Sequence, residues 1–280
     1  MNDDGEAFSS IDLVGQCLID EVRTLAFEKA INKYVKPDHT VIDVGTGSGI
    51  MALFSAKAGA KEVYALEYDP FVAQIAKNNF VNNNFQNIKE LFIGNACDFF
   101  YPDDLKFDVI TMELLTTGMV DEYQIKALNN LHRQNKVTDK TIFIPQRQET
   151  FISLANSKFN MYGFVFKMIK HLWNNLSENQ QGEIMSEKVL LNNIDFSVIN
   201  NEIFDKEIIL TANKDGLVNS VYLSSNVIFD ESLILGDTET LNAPVVFPIP
   251  DLEVKNGDKI RLNIHYIFGG GYNNFKISIL

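Results

Sequence analysis

VIDVGTGSGIMALFSAKAGAKEVYALE, residues 41–67, is the stretch that decides the fold of this chain of 280 residues. An apolar run, Thr40–Val44, ends in three glycines at alternate positions, and an alanine-rich helical segment follows them. A second apolar run then ends in the acid Glu67. The glycines let a ligand approach the backbone where no Cβ stands in the way. An acid about 20 residues further on can accept both hydrogens of a ribose diol, so this order predicts a site for a nucleoside cofactor.

The spacing of the glycines separates two classes of cofactor. Dinucleotide sites have G-x-G-x-x-G, but here the position three after Gly47 is Ile50, and the third glycine, Gly49, comes one residue earlier. No Gly-Lys-Ser/Thr is present, which excludes a P-loop. Asp43, two residues before Gly45, suits a positively charged ligand better than a phosphate. The run D-x-G-x-G-x-G with an acid after the second strand resembles the pattern of S-adenosylmethionine (SAM) methyltransferases. A glycine turn in another α/β fold is the alternative.

Composition limits the class of protein. The chain is 46% hydrophobic, enough for one large or two modest domains, and its net charge is −13 with a pI of about 4.7. No Lys/Arg cluster offers nucleic acid a basic face, whereas an acidic surface tolerates cationic substrates. Cys17 and Cys97 lack the spacing of metal ligands, so we expect no metal site. The polar N-terminus is no signal peptide and no apolar run approaches a membrane span, so we expect a cytoplasmic protein without a membrane partner.

Strand and helix patterns alternate as far as Pro145. We predict a first helix over residues 18–35, and then strands at 40–44, 62–66, 88–93, 107–112 and 141–144 with helices at about 50–59, 70–82 and 122–134. Such alternation indicates an α/β fold with a doubly wound, Rossmann-like parallel sheet. Ligands bind at the carboxyl ends of its strands. We therefore assign residues 1–145 to a SAM-binding domain.

After Pro145 the patterns are mostly those of strands. Segments at about 151–154, 205–211, 220–229, 245–249, 259–268 and 275–280 predict a mainly antiparallel, β-barrel-like substrate domain over residues 146–280. An apolar segment at about 160–187, rich in Phe and Met and containing Trp173, predicts a helical insert. The apolar face of this insert either joins the core or forms a dimer contact, so the sequence also allows a homodimer.

Three stretches resemble the protein arginine N-methyltransferases. The first is Asp20-Glu21-Val22-Arg23-Thr24-Leu25, whose arginine in that family binds the SAM carboxylate. The second is AKAGAKEVYALE in the glycine stretch, and the third is MELLTTGMVDE, residues 112–122, after the fourth strand. TETLNAPVVFPIPDLEVKNGDKI, residues 238–260, extends the likeness into the β half. The resemblance covers about residues 8–280 and implies a class I SAM-dependent methyltransferase.

The resemblance also implies catalytic roles for Glu113 and Glu122. They stand nine residues apart, which is the spacing of two glutamates that grip a substrate guanidinium in that family. A guanidinium is a poor nucleophile because its lone pairs are delocalised. Two carboxylates can hold it bidentately and aim one nitrogen at the SAM methyl. Glu122 has a plainer interpretation as well, as an acid favoured by a helix N-terminus.

The chain departs from the family where the family binds peptide. Leu-Leu-Thr-Thr at residues 114–117 replaces Trp-Met-Gly-Tyr. Thr-Leu-Asn at residues 240–242 replaces Thr-His-Trp, whose histidine pairs with the aspartate equivalent to Asp20. Val14 takes the place of a histidine that touches SAM. The cofactor half is thus kept, whereas the aromatic peptide-binding residues are absent.

These patterns predict a SAM site and a cationic acceptor. SAM is expected to bind through Arg23 (carboxylate), Asp43 with Gly45, Thr46, Gly47 and Gly49 (amino-acid moiety), Glu67 (ribose), and Asn95 with Ala96 (adenine). The expected acceptor is a cationic nitrogen, most favourably a guanidino group of a protein or of a small molecule. Two alternatives stay open, namely transfer to O or C of a neutral metabolite, and a non-catalytic scaffold that binds SAM.

Overall fold

The computed structural model describes residues 10–173, 182–238, 240 and 242–280. One sheet consists of parallel strands: β1 (Thr40–Val44), β2 (Glu62–Glu67), β3 (Ile88–Ile93), β4 (Val109–Met112) and β5 (Ile142–Ile144). Their order is β3-β2-β1-β4-β5, so the direction of winding reverses between β1 and β4. The carboxyl ends of strands beside such a reversal form the crevice in which doubly wound sheets bind ligands. The predicted Rossmann-like part of the fold is confirmed.

The helices of this half are α1 (Ile11–Ile19), α2 (Glu21–Tyr34), α3 (Ile50–Lys57), α4 (Pro70–Asn83) and α5 (Gln124–Arg133). The prediction of a single helix over residues 18–35 is wrong, because the chain breaks at Asp20. Asp20 leaves the helical region at φ −70° and ψ 88°, and its side chain accepts a hydrogen bond from the Arg23 backbone N–H as the N-cap of α2. Within the described residues, no helix combines the length and the apolar character needed to cross a membrane.

Antiparallel strands make up most of the rest of the chain. They are β6 (Arg147–Asn156), β7 (Asn160–Met161), β8 (Phe164–Val165), β9 (Lys170–His171), β10 (Glu183–Ile184), β11 (Val189–Asp195), β12 (Ile203–Thr211), β13 (Gly216–Asp230), β14 (Leu233–Leu235), β15 (Val245–Val254), β16 (Lys259–Ile267) and β17 (Lys276–Ile279). A large sheet runs β10-β6-β13-β15-β9, with β11 on β6 and β14 on β13. A smaller sheet runs β12-β16-β17, and stacking of Phe275 on Phe247 joins the two sheets. The predicted antiparallel half is confirmed, and the division at residue 145 stays a prediction.

The helical insert predicted at 160–187 is wrong for the residues that the structure describes, and residues 174–181 lie outside them. The segment begins as a tight hairpin of β7 and β8. Tyr162 and Gly163 form its two-residue turn with φ of 55° and 85°. Both central residues at positive φ define the turn that suits the twist of a hairpin. The chain then pairs with β15 through His171, so the edge of the large sheet imposes extended structure on an apolar segment.

The two halves pack on one another through one continuous hydrophobic core. Phe27 of α2 meets Phe229 of β13 edge to face, with ring centroids 4.8 Å apart. Beside this contact, Lys33 Nζ and Tyr34 Oη each donate to Asp230 Oδ2 at 2.7 Å. Helix α2 is thereby held by both halves, and with it the residues of its first turn.

Candidate functional site

The glycine turn after β1 adopts backbone conformations that other residues rarely take. Gly45, Gly47 and Gly49 have φ of 73°, 54° and 88°. A Cβ at Gly45 would lie 2.6 Å from Leu114 Cδ2, and one at Gly49 would lie 2.5 Å from Phe80 Cε1. The left-handed backbone conformation therefore favours glycine at these two positions, and a Cβ there would also force the Leu114 or Phe80 side chain to move. The turn presents bare backbone at the carboxyl end of β1.

Asp43 holds this turn from inside the sheet. Its side chain is buried, and Oδ2 accepts from Thr46 Oγ1 at 2.5 Å and from the Ala52 backbone N–H at 3.2 Å. Oδ1 accepts from Thr111 Oγ1 at 2.8 Å. Burial raises the pKa of Asp43 to about 6, although these hydrogen bonds oppose the rise. Asp43 and Thr46 thus fix the shape of the glycine turn, and their direct contact with SAM stays a prediction.

Glu67 ends β2 directly beside the glycine turn. Its Oε2 accepts from the Gly47 backbone N–H at 2.8 Å, and its Oε1 accepts from the backbone N–H groups of Tyr68 and Asp69 at 2.9 and 3.1 Å. The side chain is almost fully buried. A carboxylate fixed by backbone donors at a strand end can accept the hydroxyls of a ribose.

We expect Glu67→Ala to weaken SAM binding by about tenfold to a hundredfold. Loss of a buried, charge-assisted hydrogen bond costs about 1.5–3 kcal/mol, which corresponds to that range of affinity. Isothermal titration calorimetry with SAM measures the effect, and Glu90→Ala on the exposed face of the neighbouring strand serves as control. An affinity equal to that of the wild type would remove Glu67 from the site.

Asn95 and Ala96 form the turn that follows β3. Asn95 Oδ1 accepts from the Cys97 backbone N–H at 2.9 Å, and the Ala96 carbonyl accepts from Asn130 Nδ2 of α5 at 2.9 Å. The turn is therefore anchored to α5 at the same edge of the sheet as Glu67. This position is compatible with the predicted contact to adenine.

Arg23 and Glu113 meet at the centre of the site, although 90 residues separate them in the chain. The Arg23 guanidinium forms an ion pair with Glu113, and its Nη1 donates to the Cys17 carbonyl at 2.9 Å. Both side chains are about nine-tenths buried, at 9% and 10% exposed. Burial raises the pKa of Glu113, and the neighbouring Arg23 opposes that rise.

One hydrogen-bond donor of the Arg23 guanidinium takes no part in these contacts. Its Nε is buried without a hydrogen-bond partner among the described residues. Val14 of α1 also approaches the glycine turn, since a Cβ at Gly47 would lie 3.5 Å from Val14 Cγ1. A spare guanidinium donor, bare turn backbone and an acid at the end of β2 match the carboxylate, amino-acid and ribose parts of SAM. The residues present fit this cofactor.

Glu122 lies close enough to Glu113 for their charges to interact. Its side chain is only 4% exposed. The pKa of Glu122 is raised to about 8, mainly by burial and next by the charge of Glu113. The charges of Asp121 and Glu67 add to this rise, and a hydrogen bond from the Tyr123 backbone opposes it. The two predicted catalytic acids are therefore brought together, and they differ in that Glu113 has an arginine partner.

Hydrogen bonds from the antiparallel half hold the loop that carries both glutamates. Gln148 Nε2 donates to the Thr116 carbonyl at 2.9 Å, and Ser225 Oγ accepts from the Gly118 N–H at 2.9 Å. On the other side, the backbone N–H groups of Gly269 and Gly271 donate to the carbonyls of residues 119 and 120, each at 3.0 Å. Contacts from both directions give the loop a fixed position next to the strand ends.

Two polar residues of the site were not predicted from the sequence. Gln124 Oε1 accepts from the Leu114 N–H at 2.9 Å, which ties the start of α5 to the end of β4. Thr240 Oγ1 donates to Asp20 Oδ2 at 2.9 Å, where the resemblance places a histidine one residue further along. Thr240, Arg23 and Glu113 all line one small cavity. Neutral polar side chains carry no sequence signal that distinguishes such contacts from ordinary surface positions.

Comparison with known proteins identifies methyltransferases. The family model for ribosomal protein L11 methyltransferase (PrmA) matches residues 24–181. The uncharacterized protein MJ1452 of Methanocaldococcus jannaschii is 32% identical over 262 residues, which cover 94% of each chain. The ribosomal protein L11 methyltransferase of Clostridium perfringens is 42% identical over 104 residues, but these span only 36% of this chain and 32% of that protein.

Among solved structures, the fold matches a protein arginine methyltransferase. The PRMT1 enzyme–prozyme heterotetrameric complex of Trypanosoma brucei with AdoHcy superimposes with a TM-score of 0.75 and covers 98% of both chains. The sequence identity is 18%, so the likeness concerns the fold. It extends over both the parallel and the antiparallel halves.

Proposed function

We propose that this chain, which belongs to the ribosomal protein L11 methyltransferase (PrmA) family and is a SAM-dependent methyltransferase, transfers a methyl group to a cationic nitrogen, most favourably that of a guanidino group. When bound, SAM supplies a methyl group already activated by its sulfonium. The protein's task is then mainly to position the acceptor. The nature of the acceptor follows from the charges around the loop after β4.

The observation that carries this proposal is the pair of buried carboxylates, Glu113 and Glu122, on one loop at the strand ends. Arg23 pairs with Glu113, and among the described residues no cation forms an ion pair with Glu122. Two close carboxylates repel each other, and one takes up a proton unless a cation enters. A guanidinium or ammonium group relieves this repulsion, so the pair selects for positive charge.

The pair supports different tasks for its two members. Glu113, already fixed by Arg23, orients the acceptor, because Arg23 restrains the position of its carboxylate. Glu122 supplies the negative charge that balances the incoming cation and accepts the proton that the nitrogen loses on methylation. A carboxyl with a pKa of about 8 is well matched to proton transfer near neutral pH.

The alternative acceptor, O or C of a neutral metabolite, is less well supported. It would leave Glu122 facing an uncharged group in a buried place, at a cost in desolvation that no compensating charge offsets. The ribosomal protein L11 methyltransferases are named for a protein acceptor, but the one from Clostridium perfringens aligns with only 36% of this chain. Whether the acceptor here belongs to a protein or to a small molecule is decided by the following experiment.

The test is incubation of the purified chain with methyl-labelled SAM and a cell extract, followed by separation of protein from small molecules. We expect label in one fraction, on a basic nitrogen that ordinary acid hydrolysis leaves methylated. Label only on ester, ether or carbon positions would overturn the proposal. A variant with both glutamates changed to glutamine serves as the matched control for non-enzymatic labelling.

We expect kcat/KM to rise with pH and to level off above about pH 8. Glu122 must be ionised to balance the acceptor's charge, and its pKa lies near 8 in the free protein. The slope should approach tenfold per pH unit below that point, as for a single essential base. A bound cation stabilises the carboxylate, so kcat should titrate at lower pH than kcat/KM. A flat profile between about pH 6 and 9 in the wild type would contradict the role of Glu122.

We also propose that the chain forms a homodimer through the hairpin of β7 and β8. Tyr162, Phe164 and Val165 are 96%, 67% and 68% exposed, which concentrates apolar surface on one short hairpin. Light scattering at micromolar concentration should give about twice the monomer mass of 31.7 kDa. A monomer mass would remove the dimer and leave the fold unaffected. The predicted cytoplasmic location likewise remains part of the proposal.

A further inference from the structure

A group of aromatic side chains adjoins the loop that carries Glu113 and Glu122 and is not used by the reaction described above. Tyr272 Oη lies 2.8 Å from His171 Nε2, and the His171 ring stacks on Trp173 with centroids 5.1 Å apart at 14°. All three side chains are half-buried and thus partly open to solvent. With Asp121, also half-buried, they form what we call the aromatic rim.

The aromatic rim is attached directly to the loop that carries Glu122. Gly271, the residue before Tyr272, donates its N–H to the Val120 carbonyl at 3.0 Å. A Cβ at Gly271 would lie 3.7 Å from Asp121 Oδ1, which places Asp121 next to the start of the Tyr272 turn. Asp121 precedes Glu122 in the chain, so their Cα atoms are about 3.8 Å apart. Glu122 is buried, and the rim is the more open part beside it.

The chemistry of the aromatic rim is that of a cation site. The faces of Trp and Tyr attract ammonium and guanidinium groups through the ring quadrupole. A carboxylate beside such rings adds charge attraction. The net charge of the whole chain, −13, favours the approach of a polycation further.

We infer, on the basis of the proposed function, that the acceptor carries a second positive charge a few bonds from the nitrogen that is methylated, and that Asp121 and Tyr272, backed by His171 and Trp173, bind this second charge. The substrate class is therefore a dication. Its second charge is either a side chain near an arginine in a peptide or the far end of a small diamine-like molecule. Both sources present the same chemistry to the rim.

The protonation of His171 is consistent with this role. Burial lowers the pKa of His171 below its usual value, so the ring is neutral near pH 7 and does not repel a cation. Its hydrogen bond with Tyr272 holds the two rings at nearly a right angle, 88°. The Tyr272 ring is thereby kept in one orientation beside Asp121.

The test uses two small acceptors that differ only in the second charge. Agmatine has a guanidinium and an ammonium group on a four-carbon chain, and n-butylguanidine lacks the ammonium group. The kcat/KM for each, and the Kd for each in the presence of S-adenosylhomocysteine, are measured with the full chain. A parallel pair of peptides, Gly-Arg-Gly-Lys and Gly-Arg-Gly-Gln with blocked ends, tests the peptide source in the same way.

We expect at least one dication to have a kcat/KM about tenfold or more above that of its matched monocation, and a Kd lower by about the same factor. If agmatine shows this preference the acceptor is a small molecule, and if the lysine-containing peptide shows it the acceptor is a peptide. Asp121→Asn, which keeps the shape and removes the charge, should reduce this ratio to about one or two. Asp251→Asn is the matched control and should leave the ratio unchanged, because Asp251 is an exposed acid on β15 that forms an ion pair with Lys167.

The outcomes separate this inference from the proposed function. If monocations and dications are methylated and bound equally, the second site is absent and the guanidinium site stands. If Asp121→Asn preserves a tenfold preference, the aromatic rim does not bind the second charge. If none of the four acceptors binds or reacts, both the guanidinium site and the second site are wrong.

Discussion

Glu113→Gln is expected to reduce methyl transfer by more than about 1,000-fold while SAM continues to bind. The change keeps the shape of the side chain and removes the charge that orients the acceptor. Losing one electrostatic group at a reacting centre costs about a hundredfold to a thousandfold in kcat. Here the loss should be larger, because the carboxylate both orients the acceptor and fixes Arg23 through their buried ion pair.

The same variant should behave differently in the binding of SAM. Breaking a buried ion pair leaves the Arg23 guanidinium without its counter-charge, so its attraction for the SAM carboxylate should not fall. Calorimetry should therefore give a SAM affinity equal to or tighter than that of the wild type. The melting temperature should fall, since an unpaired buried charge typically costs about 3–5 kcal/mol. Circular dichroism confirms that the variant is folded, and Glu62→Gln at the start of β2 is the matched control.

If folded Glu113→Gln methylates its acceptor at the wild-type rate, Glu113 has no part in catalysis. If it loses SAM binding as well as transfer, Glu113 acts on the cofactor through Arg23 alone. Either result would remove the two-carboxylate explanation of the acceptor's charge.

Glu122→Gln is expected to lower kcat/KM by about a hundredfold and to abolish its dependence on pH near 8. The amide can neither balance the acceptor's charge nor accept its proton. Steady-state kinetics across pH with labelled SAM measures both effects. A variant that keeps the wild-type rate and pH profile would show Glu122 to be an ordinary acid at the start of α5.

Stability provides an independent readout for the same variant. The pKa of Glu122 is raised from 4.5 to about 8 in the folded protein, so its contribution to stability is present below about pH 4.5 and is lost as the pH rises to 8. Glutamine has no such titration. The melting temperature of Glu122→Gln should therefore exceed that of the wild type by more at pH 9 than at pH 5.

The parts of the fold that rest on local chemistry could be predicted from the sequence. The glycine turn requires positive φ at three alternate residues, and only glycine adopts positive φ easily. The glycines at residues 45–49 therefore predict the conformation of the turn. The position of Glu67 at the end of β2 could be predicted because one strand–helix–strand unit has a typical length. Asp69 and Pro70 likewise start α4 as cap and first residue.

The error over the helical insert arose where distant contacts decide the structure. The apolar segment after residue 160 satisfies both helix and strand patterns, and short apolar runs cannot be assigned by periodicity alone. Its pairing with the edge of β15 selects the strand. The ion pair of Arg23 with Glu113 could not be predicted either, because each residue is expected to face a ligand and nothing in the sequence places the two together.

The central claim is that the methyl group goes to a positively charged nitrogen, and the chemical identity of the methylated atom tests it most directly. The chain is incubated with SAM carrying a ¹³C-labelled methyl group and with a cell extract fractionated for activity, and the product is examined by two-dimensional NMR. The prediction is a new methyl signal with the carbon shift of N–CH₃ that shows through-bond coupling to a guanidino or ammonium centre. The signal should be absent when Glu113→Gln replaces the wild type. A methyl signal with the shift of O–CH₃ or C–CH₃ would contradict the account.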